Sequence, residues 1–157
     1  MYRTVSDFLG EWDRAVQGTT AVLKSMTDDK LGQAIVEGHN TLGWLGWHLS
    51  GSLLFFSGQA GLTIAPIGNL KIVPTHASEI VDTYVQMAES FKQAVEENLT
   101  DEKMVELVDS FGGQMPRGAI LRFLMDHQTH HRGQMMVLLR QAGLPVPGVM
   151  GPTKEGN

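Results

Sequence analysis

Apolar residues return every three or four positions along several long stretches of this chain, and the polar runs between them mark where each stretch stops. In the first, Val5, Phe8, Leu9, Trp12, Ala15, Val16, Thr19, Leu23 and Met26 share one face of a helix predicted over about residues 6–26. Thr27-Asp28-Asp29-Lys30 interrupts it. The segment Glu37-Gly38-His39-Asn40-Thr41 then reads as a loop, with Thr41 placed to cap a second helix over residues 42–59. Trp44, Leu45, His48, Ser52 and Phe55 are predicted to share a face of that helix. Gly43, Gly46 and Gly51 each cost about 1 kcal/mol there relative to alanine, so close approach of a neighbouring helix is the expected compensation.

Residues 58–74 are rich in Gly and Pro and read as a connection long enough to cross from one end of a bundle to the other. A third helix is predicted from Ser78, or slightly earlier from Thr75, to Asn98. Its apolar stripe is Ile80, Val81, Tyr84, Met87, Phe91, Val95 and Leu99. Residues 100–114 read as polar and irregular, with Met104, Val105, Leu107 and Val108 docking onto the core. Pro116 suits the first turn of a fourth helix, which runs to about Ala142 before Gly143 and Pro145 stop it. Ile120, Leu124, His127, His131, Gln134 and Leu138 form its stripe. Four long helices without strand alternation predict an all-α four-helix bundle. The long connection allows the second and third helices to run in the same direction, giving an up-down-down-up arrangement.

The 157 residues are expected to form a single domain, 1–157, long enough to bury a proper core. Twelve basic residues against seventeen acidic ones give a net charge of −5, and no basic patch stands out, so nucleic acid is not an expected partner. The chain has no cysteine, hence no disulfide and no thiolate of its own, which fits a reducing cytoplasm. The opening residues lack the apolar core of a signal peptide, and a cytoplasmic location is expected. Residues 38–70 contain no Asp, Glu, Lys or Arg, but His39, Asn40, His48, Gln59, Pro66 and Asn69 break the run. A buried helix followed by a covered apolar loop is expected there rather than a membrane span.

The candidate chemistry lies in histidine. His127 and His131 are four residues apart, a spacing that stacks both imidazoles on one face of a helix, one turn apart. His48, on another apolar helix, is the third candidate. Neutral imidazole ligates zinc, nickel, copper and iron, and three protein ligands leave a position open for water or substrate. The same residues admit a plainer reading, as core histidines satisfied by hydrogen bonds, because the spacing alone is weak evidence. No acidic residue lies on the stripe to pair with them, and the local pattern leaves both readings open. His130 is rotated off the pair by about 100°, towards solvent, an outer shell or another subunit. His39 and His76 fall in loops and are read as ordinary, unless those loops fold over the site.

Trp44-Leu45-Gly46-Trp47-His48 taken with His127-Gln128-Thr129-His130-His131-Arg132-Gly133-Gln134 resembles the DinB-like (damage-inducible B, YfiT-related) superfamily. Its hallmark is a histidine on the second helix and an H-x-x-x-H-R-G-Q type segment on the fourth. The resemblance extends to the helix order, the long middle connection and the end Gln141-Ala142-Gly143-Leu144-Pro145. It implies a four-helix bundle holding a divalent metal, typically nickel or zinc, on His48, His127 and His131; Arg132, Gly133 and Gln134 match the segment without being ligands. It further implies a homodimer. Some members resemble thiol-dependent S-transferases that use a low-molecular-weight thiol such as bacillithiol, mycothiol or glutathione; others resemble metal-dependent hydrolases. The extra C-terminal domain of the mycothiol-dependent maleylpyruvate isomerases is not expected here, so that activity is not implied. A non-catalytic metal-binding or dimerising bundle is the alternative of a different class.

Overall fold

The computed structural model describes residues 1–155. Its elements in chain order are α1 (Val5–Lys24), a 3-10 turn (Asp28–Lys30), α2 (Leu42–Gln59), α3 (Ala77–Asn98), the short α4 (Asp101–Val105), strands β1 (Leu107–Ser110) and β2 (Gly113–Pro116), and α5 (Arg117–Gln141). The bundle of four long helices expected from the sequence is present, with α5 as its fourth member. Among the described residues no helix is long and apolar enough to cross a membrane.

Threonine side chains start three of the helices. Thr4 Oγ1 accepts from the Asp7 N–H, Thr41 Oγ1 from Trp44 N–H and Thr100 Oγ1 from Lys103 N–H. The third long helix is started differently from expectation. Ser78 lies exposed inside α3, and the cap comes from the 3-10 turn. The Asp28 carboxylate accepts from the Ala77 N–H at 2.7 Å and pairs with His76 Nδ1 at 2.9 Å. This tertiary cap ties the beginning of the α1–α2 connection to the start of α3.

On α1 the predicted stripe goes inward, with Phe8, Trp12, Ala15, Thr19 and Leu23 buried. The Trp12 indole N–H donates to the Ala88 carbonyl, and the rings of Phe8 and Trp12 pack on Phe91. On α2 the prediction needs correction. This helix is buried around most of its circumference, through Leu42, Leu45, Trp47, Leu49, Leu53 and Phe56, while Trp44 and Phe55 lie exposed. Two of its glycines serve close approach. A Cβ at Gly46 would stand 3.0 Å from both Ile80 and Leu23, and one at Gly43 would stand 3.2 Å from Leu31 Cβ. Gly51 has open space around it, so the expected compensation is absent there.

The core stripe of α5 is Ile120, Leu121, Leu124, Met125, Gln128, Arg132, Met135, Leu138 and Leu139. It is rotated from the predicted one, and leaves His127 and His131 half-buried at its edge. Gly118 sits where the N-terminal segment crosses α5. Tyr2 N–H donates to the Gly118 carbonyl, and a Cβ on Gly118 would collide with the Tyr2 carbonyl.

The segment expected to be irregular folds instead as α4 and an antiparallel hairpin, with Leu107 opposite Pro116 and Ser110 opposite Gly113. Positive φ at Phe111 (52°) and Gly112 (79°) makes the two-residue turn that matches strand twist. Gln59 Oε1 accepts from both Ser110 Oγ and the Phe111 N–H at 2.9 Å, which fastens the hairpin to the end of α2. Of the four residues expected to dock there, Met104 is fully buried and Val108 packs partly on the core, whereas Val105 and Leu107 are exposed. Pro116 stands at the position just before α5, with no side-chain capping bond, rather than in its first turn.

Candidate metal centre

α2 and α5 pack side by side, and their facing edges bring together His48, His127 and His131, the outer two 83 positions apart in sequence. The Nε2 atoms of His48 and His127 are 3.1 Å apart, and those of His131 and His127 are 3.2 Å apart. Each of the three residues offers a nitrogen within 4.8 Å of the other two. Among the described residues no Cys, Asp, Glu or further His joins the cluster.

The packing around the triad fixes its rings. Trp44 stacks on His48 with centroids 4.7 Å apart and planes 9° from parallel. Phe56 presents an edge to His127 at 5.4 Å. His131 Nδ1 lies 2.8 Å from Gln134 Oε1, and the same carboxamide directs its Nε2 to His130 Nε2 at 3.2 Å. Because a carboxamide oxygen only accepts, His131 must carry its proton on Nδ1. Its Nε2 then presents a lone pair to the centre of the triad. His130 therefore belongs to an outer shell reached through Gln134, one of the placements its rotation on the helix allowed.

All three triad histidines are held uncharged at neutral pH. Burial pushes the His127 imidazole down to about 4, with positive charge on His131, His48 and His130 adding to the effect. Burial lowers His48, helped by His131. Burial also lowers His131, against the opposing pull of its bond to Gln134. Neutral imidazole is the ligand form, so protons compete little for these nitrogens.

The triad fits a divalent ion on two counts. Nitrogens sharing one zinc-sized ion at about 2.0–2.1 Å stand roughly 3.0–3.4 Å apart, and the two close separations here fall in that range. The second count is hydrogen-bond chemistry. His127 Nε2 faces two other imidazole nitrogens. One proton on His127 Nε2 can satisfy only one of those neighbours, whereas a cation accepts all three lone pairs at once.

Beneath the triad lies a buried polar network that the sequence reading did not single out. Gln128 Oε1 accepts from Tyr84 Oη at 3.0 Å and from Thr19 Oγ1 at 3.3 Å, and Gln128 Nε2 donates to Ser52 Oγ. Arg132 donates to the Ala15 carbonyl, Thr19 Oγ1 and Thr129 Oγ1. The network couples α5 to α1, α2 and α3 directly below the ligand-bearing turns. The signal that could have revealed it is spacing: Gln128 and Arg132 are i+4 neighbours on the stripe that runs through Leu121, Leu124 and Met135. The remaining histidines stand apart from the triad. His76 pairs with Asp28, and His39 lies in the loop before α2.

The profile of the DinB family matches residues 1–156, and the chain belongs to that family. It is 41% identical over 155 residues to YrdA of Bacillus subtilis (strain 168), covering 99% of this chain and 93% of that protein. Among solved structures it is similar to a DinB-like protein from Bacillus cereus ATCC 10987, with a TM-score of 0.90 and 39% identity over 94% of this chain and 99% of that one. The DinB-like protein YjoA of Bacillus subtilis shares the fold at a TM-score of 0.71 and 21% identity, over 94% of this chain and 99% of that one.

Proposed function

We propose that the protein is a metal-dependent enzyme holding a divalent ion, nickel or zinc, on His48, His127 and His131, and that it transfers a low-molecular-weight thiol to an electrophilic substrate. The observation that carries this reading is the convergence of three imidazole nitrogens with, among the described residues, no fourth protein ligand beside them. A structural site is closed by four ligands, whereas three leave room for an exchangeable group. When bound, such an ion supplies Lewis acidity, lowering the pKa of a thiol or a water molecule at neutral pH.

This chain's own residues supply the rest. Gln134 holds the His131 proton on Nδ1 and keeps Nε2 turned inward. Trp44 and Phe56 flank the His48 and His127 rings and restrict their rotation. The absence of cysteine means that the sulfur nucleophile comes from a cosubstrate. In the transfer the thiol loses its proton to solvent water, sulfur bonds to the electrophilic carbon, and the leaving group departs with the electron pair of the broken bond. Bacillithiol, mycothiol and glutathione are the candidate thiols. The alternative that the same centre supports is hydrolysis, with water in place of the thiol. A homodimer is part of the proposal, supported by the half-exposed rings of Phe55, Phe111 and Phe123 clustered beside the site.

The test incubates zinc- or nickel-loaded protein with each thiol and a fluorogenic halide such as monochlorobimane. The expected result is conjugate formation above the uncatalysed rate, abolished by chelation and in His48→Ala. Metal-dependent ester hydrolysis without thiol consumption would replace transfer by the hydrolytic alternative. Neither activity in fully loaded protein would contradict an enzymatic role.

A further inference from the structure

One end of the α2–α5 seam carries a cavity of about 350 Å³, lined by Ile35, Leu45, Val137 and Leu138 with His39, Asn40 and Gln134 as its polar members. Its volume is at the lower end of small-molecule sites, and its make-up, an apolar lining with a few converging polar groups, is typical of them. It adjoins the triad through two residues. Leu45 lies one turn before His48 on α2, and Gln134 lies one turn after His131 on α5. Gln134 both lines the cavity and bonds to His131 Nδ1, so a molecule in the cavity touches the residue that orients a ligand-bearing ring.

The charge around this cavity is as informative as its shape. None of its lining residues is Lys, Arg, Asp or Glu. Residues 38–70, which supply all of α2, contain no charged side chain. The four arginines of α5 are engaged elsewhere. Arg117 pairs with Glu106, Arg122 with Asp126 and Glu11, and Arg140 with Glu155, while Arg132 is buried against α1. A carboxylate or phosphate entering the cavity would lose water and meet no Lys or Arg among its lining residues, with the exposed Glu37 carboxylate in the loop nearby.

We infer that this cavity is the subsite for the acceptor substrate, and that it takes an uncharged molecule with an apolar body and a neutral hydrogen-bonding group. The apolar body lies against Ile35, Leu45, Val137 and Leu138, and the polar group meets His39, Asn40 or Gln134. The assignment of this molecule as the acceptor rests on the metal-centre reading above; the cavity and its charge preference do not.

Phenylbutanol and phenylbutyrate form a matched neutral and anionic pair of probes, followed by amide chemical-shift changes in zinc-treated protein whose zinc content is measured in parallel. Phenylbutanol is expected to shift amides in residues 35–45 and 134–138 and to bind roughly tenfold or more tightly than phenylbutyrate. Val137→Trp and Ile35→Trp fill the cavity from two partly exposed positions. Each is expected to abolish probe binding while retaining wild-type zinc content. Equal affinity for the two probes, shifts elsewhere, or unchanged binding in both variants would overturn the inference while leaving the metal centre intact. Probe binding at these residues in a protein that takes up no zinc would support the cavity and overturn the metal reading alone.

Discussion

Replacing His127 by leucine should move stability in opposite directions with and without metal. In metal-free protein the wild-type ring has a buried Nδ1 with no partner, a defect worth about 1–3 kcal/mol. Its Nε2 recovers part of this through one hydrogen bond to His48 or His131, about 0.5–1.5 kcal/mol. Leucine removes both, and it meets the edge of Phe56 with an apolar surface. The metal-free variant should therefore be about 1 kcal/mol more stable than wild type, a rise in Tm of roughly 3 °C for a chain of this size. With free metal at a hundred times Kd, wild type gains about 2.7 kcal/mol by mass action, and a variant with two ligands left gains little of it. The order of stability inverts. Urea unfolding at neutral pH, first with a chelator and then with zinc or nickel in excess, reads both halves. A variant that is less stable than wild type under both conditions, with wild type indifferent to metal, would refute the reasoning and make the triad a structural polar network.

Metal binding should be insensitive to pH down to the neutral range and weaken only in acid. Burial holds the triad below the ordinary histidine value, with His127 down to about 4, so protons begin to displace metal at lower pH than at a solvated histidine pair. Metal-free stability should also fall as pH drops from about 6.5 towards 4, because over that window the unfolded chain binds protons that the folded His127 refuses; urea midpoints across the range check the sign. Gln134→Leu should weaken zinc binding by about 10- to 100-fold in a chelator competition, since it releases the His131 tautomer. Gly118→Ala should destabilise by about 2 kcal/mol, displacing the N-terminal segment at Tyr2 and its buried side chain. In a variant already lacking residues 1–3 most of that cost should vanish, because the collision with the Tyr2 backbone is gone and only the 3.2 Å approach to the Met104 carbonyl remains; a urea series on the four proteins decides it.

The helices and the triad were legible because both depend on spacing within one element or on residue types that pack rarely without purpose. The i, i+4 pair His127 and His131 needs only α5 to form, and the clean stripe of α1 points inward as read. What the sequence left ambiguous was rotation. α2 is apolar on nearly all sides, so periodicity has no unique face to choose, and the face expected for Trp44, Leu45, His48, Ser52 and Phe55 splits, with Leu45 and Ser52 buried and Trp44 and Phe55 exposed. On α5 a small rotation separates the stripe of His127, His131 and Gln134 from the deeper one of Gln128 and Arg132, which is why the buried network went unseen. The Asp28 cap on α3 joins residues 49 apart and leaves no local trace at Ser78. The hairpin is a different case. Gly112-Gly113 between two short β-prone runs is a turn signal, outweighed by the polar residues around it.

The most direct measurement is the metal content of untagged protein, wild type beside His127→Ala, by elemental analysis. The account predicts nickel or zinc near one per chain in the wild type and its loss in the variant. Wild-type protein that stays metal-free after incubation with both ions would contradict it.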